Sequence, residues 1–366
     1  MRFNTEAAYK SIVFRKDSKE MKKKAPALIA LLVLSMGIVA CNNNKTTETE
    51  ITKMDMSKYM TLGEYKNLSV EYNLSEVTDE AVEEQIKSIM IANSEKIAVK
   101  EGLAKKGDFV NINYVGYKND VPFDGGTANS QNIRIGAGGY IDGFEDAIIG
   151  LTPGETVEAD MTFPENYHNS DLAGQDVVFS ITLNFIYPEL SDETVKKMEN
   201  SKYTTKQELV EHATNTVASD VESTNKNAVV SLAFEKILEN AEFKEVPKEV
   251  SDNQRAAMEK QYASAIEGGA GSLDSVIQYL YGCSAENLID VYSKQRMATQ
   301  AIAKAEGIEV TDEELDARLT EIGGMYGMDG ENYLAVNEIS REKFRELMIS
   351  EQVQQFIYEN TTAVSK

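Results

Sequence analysis

The chain has 366 residues, a net charge of -23 and 42% hydrophobic residues, enough for two or more domains with cores of their own. A polyanion of this sign repels nucleic acid and has no counterions to release on binding it, which argues against a nucleic-acid partner. With two histidines, two cysteines and no tryptophan, the ligand chemistry for a metal cluster is too thin, and neither a metal nor a cofactor is expected.

Residues 1–20 sit awkwardly in front of a secretory signal. Met21, with Lys22, Lys23 and Lys24 behind it, is the better start for one. A mostly apolar run over residues 25–40 then ends in "IVAC". It is shorter than the roughly 20 apolar residues that a transmembrane helix needs. The ending resembles the lipobox of bacterial lipoproteins, which implies that Cys41 is lipidated and becomes the mature N-terminus. Two or more acyl chains would anchor the protein stably where one binds only marginally. Residues 1–41 are therefore expected to be extension and lipoprotein signal. Cys283, in "LYGCSAEN", then has no disulfide partner and reads as a small buried apolar residue.

Residues 42–60 are polar and without sustained apolar period, the texture of a flexible tether. Over 61–102 a linking strand in "LGEYKNLSVEYNL" precedes a helix. Thr78 caps that helix, Asp79 and Glu80 favour its first turn, and Val82, Ile86 and Ile89 share one face. From 103 to 187 the texture alternates. "DFVNINYVGY", "NIRIG", "ETVEADMTF" and "DVVFSITLNFI" read as strands, "KND" as a turn, and "GFEDAIIG" as one short helix. Antiparallel strands with a single helix predict an α+β domain.

Residues 188–366 read as an all-α domain. Thr205 with Glu208, and Thr311 with Glu314, form capping boxes ahead of Leu209, Ala213, Val217 and Val221 and of Leu315, Leu319 and Ile322. The first of these helices, if it reaches Asn240, is about 50 Å long. Gly323 and Gly324 are expected to end the second, and Gly307 to close the helix before it.

The stretch "GAGGYIDGFEDAI", residues 136–148, invites comparison with a phosphate loop. It fails as one: Ile141 stands where G-x-G-x-x-G needs its third glycine, and no P-loop lysine follows. Asp142, Glu145 and Asp146 already occupy the field at the expected helix start, where a phosphate would be repelled. These acids are expected to face water while the glycines turn the chain. No Gly-x-Ser-x-Gly elbow supports a hydrolase.

Taken together, "GDFVNINYVGY", "VPFDGG", "NIRIGAGGYIDGFEDAIIGLTPGE", "MTFPENYH" and "LAGQDVVFSITLNFI" resemble, in order and spacing, the FKBP-type peptidyl-prolyl isomerase domain, in the version found inside trigger factor. "VPKEV" and the later helices resemble trigger factor's C-terminal chaperone domain, so the likeness covers about residues 60–360 and is looser in the helices. Trigger factor opens with a ribosome-docking domain carrying a Gly-Phe-Arg-x-Gly-Lys loop; nothing like it stands here, and a lipoprotein signal takes its place.

The resemblance implies an isomerase and chaperone on the outer face of the cell membrane, held there by lipid. Its partners would be unfolded or newly secreted polypeptides containing proline, and not the ribosome. Residue by residue, it implies a pocket lined by Tyr114, Phe123, Asp124, Tyr140, Ile141, Phe144, Tyr167 and Phe179, with Ile133 as a wall residue and His168 as a neighbour. Phe144 would be the floor, Ile141 would offer its backbone N–H to the substrate carbonyl, and Asp124 would act on the orientation of the twisted amide. Met258, Met297, Met325 and Met328 suit adaptable client contacts or a core equally well.

Two other readings stay open. One is a peptide-holding chaperone lipoprotein with negligible isomerase activity; the other is a lipoprotein that captures a small ligand or peptide for uptake. A parvulin-type foldase relies on paired pocket histidines, which the distant His168 and His212 do not easily provide.

Overall fold

A computed structural model describes residues 51–365 apart from 52 and 199–201. The lipobox and the first part of the expected tether lie outside these residues. In chain order, β1 (Met60–Thr61) and β2 (Leu68–Glu71) precede α1 (Asp79–Ala92) and α2 (Ser94–Ile97). Four strands follow: β3 (Phe109–Lys118), β4 (Val121–Arg134), β5 (Thr156–Thr162) and β6 (Asp176–Ile186). Next come α3 (Asp192–Lys197), α4 (Lys206–Asn240), β7 (Glu242–Phe243), α5 (Lys248–Gln261), α6 (Leu273–Tyr281) and α7 (Ala285–Glu306). The chain ends with α8 (Asp312–Met325), α9 (Gly330–Val336), α10 (Arg341–Glu359) and β8 (Thr361–Val364). It divides into two compact units, one of Glu76–Val221 and one of the residues up to Ser75 and from Glu222 onward, so the boundary falls within α4.

The first unit is built on an antiparallel sheet in the order β4-β3-β6-β5. Alternation makes it one-sided. On β6, Val177, Phe179, Ile181 and Leu183 are buried while the residues between them are more exposed, as a half-buried strand requires. The "KND" turn is real: Asn119 and Asp120 both take positive φ, at 52° and 64°, which the two-residue hairpin turn demands and these residue types tolerate. "NIRIG" is not a separate short strand but the end of β4, which starts at Val121 and carries two register shifts against β3. The expected helix at "GFEDAIIG" is a single 3₁₀ turn, Asp146–Ile148. Thr78 caps α1 through the N–H of Ala81.

On the sheet's other face lies a network of side-chain amides. Asn111 donates to Asn132 at 2.6 Å, Asn184 donates to Asn111 and Asn113, and the Tyr187 hydroxyl donates to Asn132. Asn111 is 2% exposed, and these bonds offset the cost of burying it.

In the second unit, Ile51, Met56 and Met60 are buried in one core with Val229, Phe234, Ile237, Met297, Ile302 and Ile357. The tether expected to run to residue 60 therefore gives way to packed chain by Ile51. β1 pairs antiparallel with β7, and β2 runs parallel to β8, so the second unit's first strands are completed by residues far along the chain. Tyr65 donates to Glu306 at 2.6 Å, and that bond raises its pKa to about 12.

Both capping boxes form. Thr205 Oγ1 accepts from Glu208 N–H at 3.2 Å and the Glu208 carboxylate accepts from Thr205 N–H at 3.1 Å; Thr311 and Glu314 repeat the exchange. Gly307 closes α7 in the left-handed region. The glycine pair does not end α8, which continues to Met325. Gly323 serves packing instead: a Cβ there would lie 2.7 Å from the backbone of Met328 and Asp329, at the start of α9.

Met258 and Met297 are core residues, whereas Met325 is 70% exposed. Cys283 is half-buried against the cluster around Leu273 and Leu288, and burial pushes its thiol pKa up. Where α5, α7 and α10 meet, Arg296 donates to both Glu346 oxygens at 2.6 and 2.8 Å and to Asn253 at 2.7 Å, and Lys343 joins Glu346 at 3.0 Å. Among the described residues no helix is long and apolar enough to cross a membrane.

Candidate functional site

β3 and β6 lie side by side, with Tyr114 opposite Ile181 and Gly116 opposite Phe179. Side chains of one parity point to the sheet's buried face, so Tyr114 and Phe179 emerge together there. Phe144, 1% exposed, is brought beneath them by the loop after β4. Tyr114 meets Phe144 edge-on at 5.2 Å, Phe179 at 5.9 Å and Tyr140 at 6.1 Å between ring centroids. Tyr140 lies flat on Phe144, at 4.4 Å and 10°. Phe144 meets Phe179 edge-on at 5.2 Å. These are the separations at which aromatic pairs attract beyond simple burial.

β4 brings Phe123, which meets Phe179 at 5.7 Å and Phe163 at 5.9 Å. Phe163 contacts Tyr167 at 4.5 Å, and Tyr167 contacts His168 at 4.2 Å. Ile133 is buried in the same cluster, against which Ile141 packs half-buried. The structure thus gathers Tyr114, Phe123, Ile133, Tyr140, Ile141, Phe144, Tyr167 and Phe179 on one apolar cluster. Asp124 is an exposed residue of β4, next in sequence to Phe123.

Sequence reasoning missed three features. Phe163, 5% exposed, links Phe123 to Tyr167; it follows a strand whose alternation points it inward, a signal that was available. Gly116 and Gly126 make room for Phe123. A Cβ at Gly116 would come within 2.5 Å of the Phe123 ring and 2.7 Å of Phe179, and one at Gly126 within 2.6 Å of Phe123. The third is Glu145. Asp142 and Asp146 are exposed, as expected, but Glu145 turns inward to 8% exposure and accepts hydrogen bonds from the glycine loop. Nothing local distinguishes it from its neighbours, because its direction depends on where the loop places its N–H groups.

Chemically the cluster is apolar: Phe144, Phe179 and Ile133 are buried within it, and Tyr114, Phe123, Tyr140, Ile141 and Tyr167 are half-buried. Burial, and then the neighbouring Tyr114, raise the Tyr140 pKa to about 12, so that hydroxyl stays protonated across the ordinary range. The Ile141 carbonyl accepts from Phe144 N–H at 3.1 Å, while its own N–H makes no hydrogen bond among the described residues.

Residues 100–184 match the family described as FKBP-type peptidyl-prolyl cis-trans isomerase, and residues 204–359 the bacterial trigger factor protein C-terminus. The trigger factor of Halothermothrix orenii is 34% identical over 272 residues, covering 71% of this chain and 62% of that protein, less than two thirds of its length. That of Streptococcus mutans is 34% identical over 301 residues, covering 78% of this chain and 70% of that protein. That of Bacillus subtilis is 32% identical over 293 residues, covering 76% and 68%.

Proposed function

The chain belongs to the trigger factor family, and on that premise we propose that it is a peptidyl-prolyl cis-trans isomerase and chaperone for unfolded, proline-containing polypeptides. The observation that carries the reading is the aromatic cluster around Phe144, with Tyr114, Phe179 and Tyr140 packed on it. Rotation about an X–Pro bond must break amide resonance, a barrier of about 18–20 kcal/mol. No covalent intermediate is needed. An apolar surface favours the twisted amide, whose carbonyl carries less charge, over the planar one, and only such a difference between the two states speeds the step.

In this mechanism Phe144 is the floor, and Tyr114, Phe123, Ile133, Tyr140, Tyr167 and Phe179 are walls. The Ile141 N–H holds the carbonyl of the residue before proline. Asp124, at the exposed end, acts on the orientation of the twisted amide. A protease-coupled proline isomerisation assay tests this directly: Phe144→Ala and Asp124→Ala each lower kcat/KM, the first more strongly. Equal and negligible rates in all three proteins would refute the enzyme.

We further propose that Cys41 is lipidated and that the protein works on the extracytoplasmic face of the membrane on newly secreted chains, without docking to the ribosome. The "IVAC" ending after a charged and apolar run supports this. Mass spectrometry of the mature protein is expected to find an acylated N-terminal Cys41; an unmodified chain starting elsewhere would overturn it.

A further inference from the structure

The Glu145 carboxylate sits inside the loop that precedes it. Gly136 N–H donates to Oε2 at 2.6 Å, Gly138 N–H to Oε2 at 3.2 Å and Gly139 N–H to Oε1 at 2.9 Å. Gly136 and Gly138 take φ of 90° and 78°, a region that favours glycine. Successive N–H groups turned to one side in this way form a concavity for an anion. Here the anion is the protein's own. A carboxylate so buried is costly unless it is hydrogen-bonded, and bonds to a charged acceptor are the stronger kind.

The loop held by Glu145 leads directly into the site. Tyr140 follows Gly139 and lies flat on Phe144; Ile141 follows Tyr140 and is tied by its carbonyl to Phe144 N–H; Glu145 follows Phe144. Side chain and backbone thus close a small ring around the residues that present a flat aromatic surface and an N–H donor.

We propose that Glu145 is a positioning residue of the isomerase site. Its carboxylate fixes the loop of residues 136–139 so that the Tyr140 ring and the Ile141 N–H are preset before a substrate arrives. It touches no substrate itself. The inference rests on the isomerase reading of the same site, and it assigns to a buried acid a role that the aromatic lining does not cover. Misplacing a binding group by about 1 Å can cost up to roughly 100-fold in rate, so a loosened loop has a large effect available to it.

The test compares the full-length protein with Glu145→Gln and Glu145→Asp. Glutamine keeps the shape but only one carbonyl oxygen, and its amide nitrogen faces N–H donors. Aspartate keeps both oxygens on a shorter stem. In Glu145→Gln, amide hydrogen exchange over residues 136–141 is expected to rise about tenfold while β3 and β6 stay protected, since local opening leaves the rest of the fold intact. On proline peptides kcat is expected to fall about tenfold with KM within about twofold, and aspartate to recover part of the loss.

Unchanged loop exchange would overturn the proposal. So would a lower melting temperature with kcat intact, which would make Glu145 a structural staple only. A wild-type protein without isomerase activity would refute the proposed function and the catalytic half of this inference; the exchange measurement would still decide whether Glu145 holds the loop.

Discussion

Glu346 carries two cations in a place with little water. Arg296 grips it through both oxygens and Lys343 adds a third contact, while the side chains are only 11 to 14% exposed. Burial alone would raise the Glu346 pKa; the coulombic pull of Lys343 and Arg296 outweighs it and holds the carboxyl well below its ordinary 4.5. Removing the carboxylate takes from Arg296 and Lys343 the buried counter-charge they share, at about 3–5 kcal/mol. Glu346→Ala is therefore expected to lower the unfolding free energy by that amount in urea titrations at neutral pH. The pH dependence has a definite sign. A depressed carboxylate contributes stability that is complete above its unfolded value near 4.5 and is lost as pH falls through the lower folded value. Glu346→Gln should flatten that part of the stability profile; an unchanged slope would show that other carboxylates set it. Not every residue could be read from sequence to this depth. The aromatic cluster was legible through the order and spacing of motifs that resemble the FKBP-type domain, and the alternation of β3 and β6 puts Tyr114 and Phe179 on one face of the sheet. Glu145 and Glu346 were not, since an acid in an acidic chain looks solvated until the backbone path shows which N–H groups and cations face it: those of residues 136–139 for Glu145, and Arg296 with Lys343 for Glu346.

Elements set by local chemistry were equally legible. Thr78, Thr205 and Thr311 cap their helices because the side-chain oxygen and the N–H it satisfies are three residues apart. Elements set by distant partners were not. β8 has no meaning without β2, which it meets in parallel from Leu68↔Thr361 to Glu71↔Val364 across almost the whole chain. The glycine pair in α8 was misread for the same reason: Gly323 answers to α9 rather than to the end of its own helix. The β2–β8 pairing makes a prediction. Deleting residues 361–366 uncovers Leu68 and Val70, now 5% and 1% exposed, and full burial of such a side chain is worth about 1.5–3 kcal/mol. Hydrogen exchange should then rise over Leu68–Glu71 while β3 and β6 stay protected. Unaltered protection of β2 would mean that β8 adds nothing to the core.

At the scale of the whole molecule, the chain divides into two compact units: the four-stranded sheet lies in the unit of Glu76–Val221 with α1 to α3 and the first part of α4, and the remaining helices lie in the other with the strands around residues 60–71. The packed segment from Ile51 to Met60 escaped detection because its buried residues follow no single period. On the proposed function, one chain both holds an unfolded client and turns its proline bonds. It is tested most directly by refolding a client protein whose slow phase is limited by proline isomerisation, with the full chain added in substoichiometric amounts. The slow rate is expected to rise in proportion to the added protein with its amplitude unchanged, and Phe144→Ala to abolish the acceleration. A slow rate that does not change at any concentration, with or without suppressed aggregation, would contradict it.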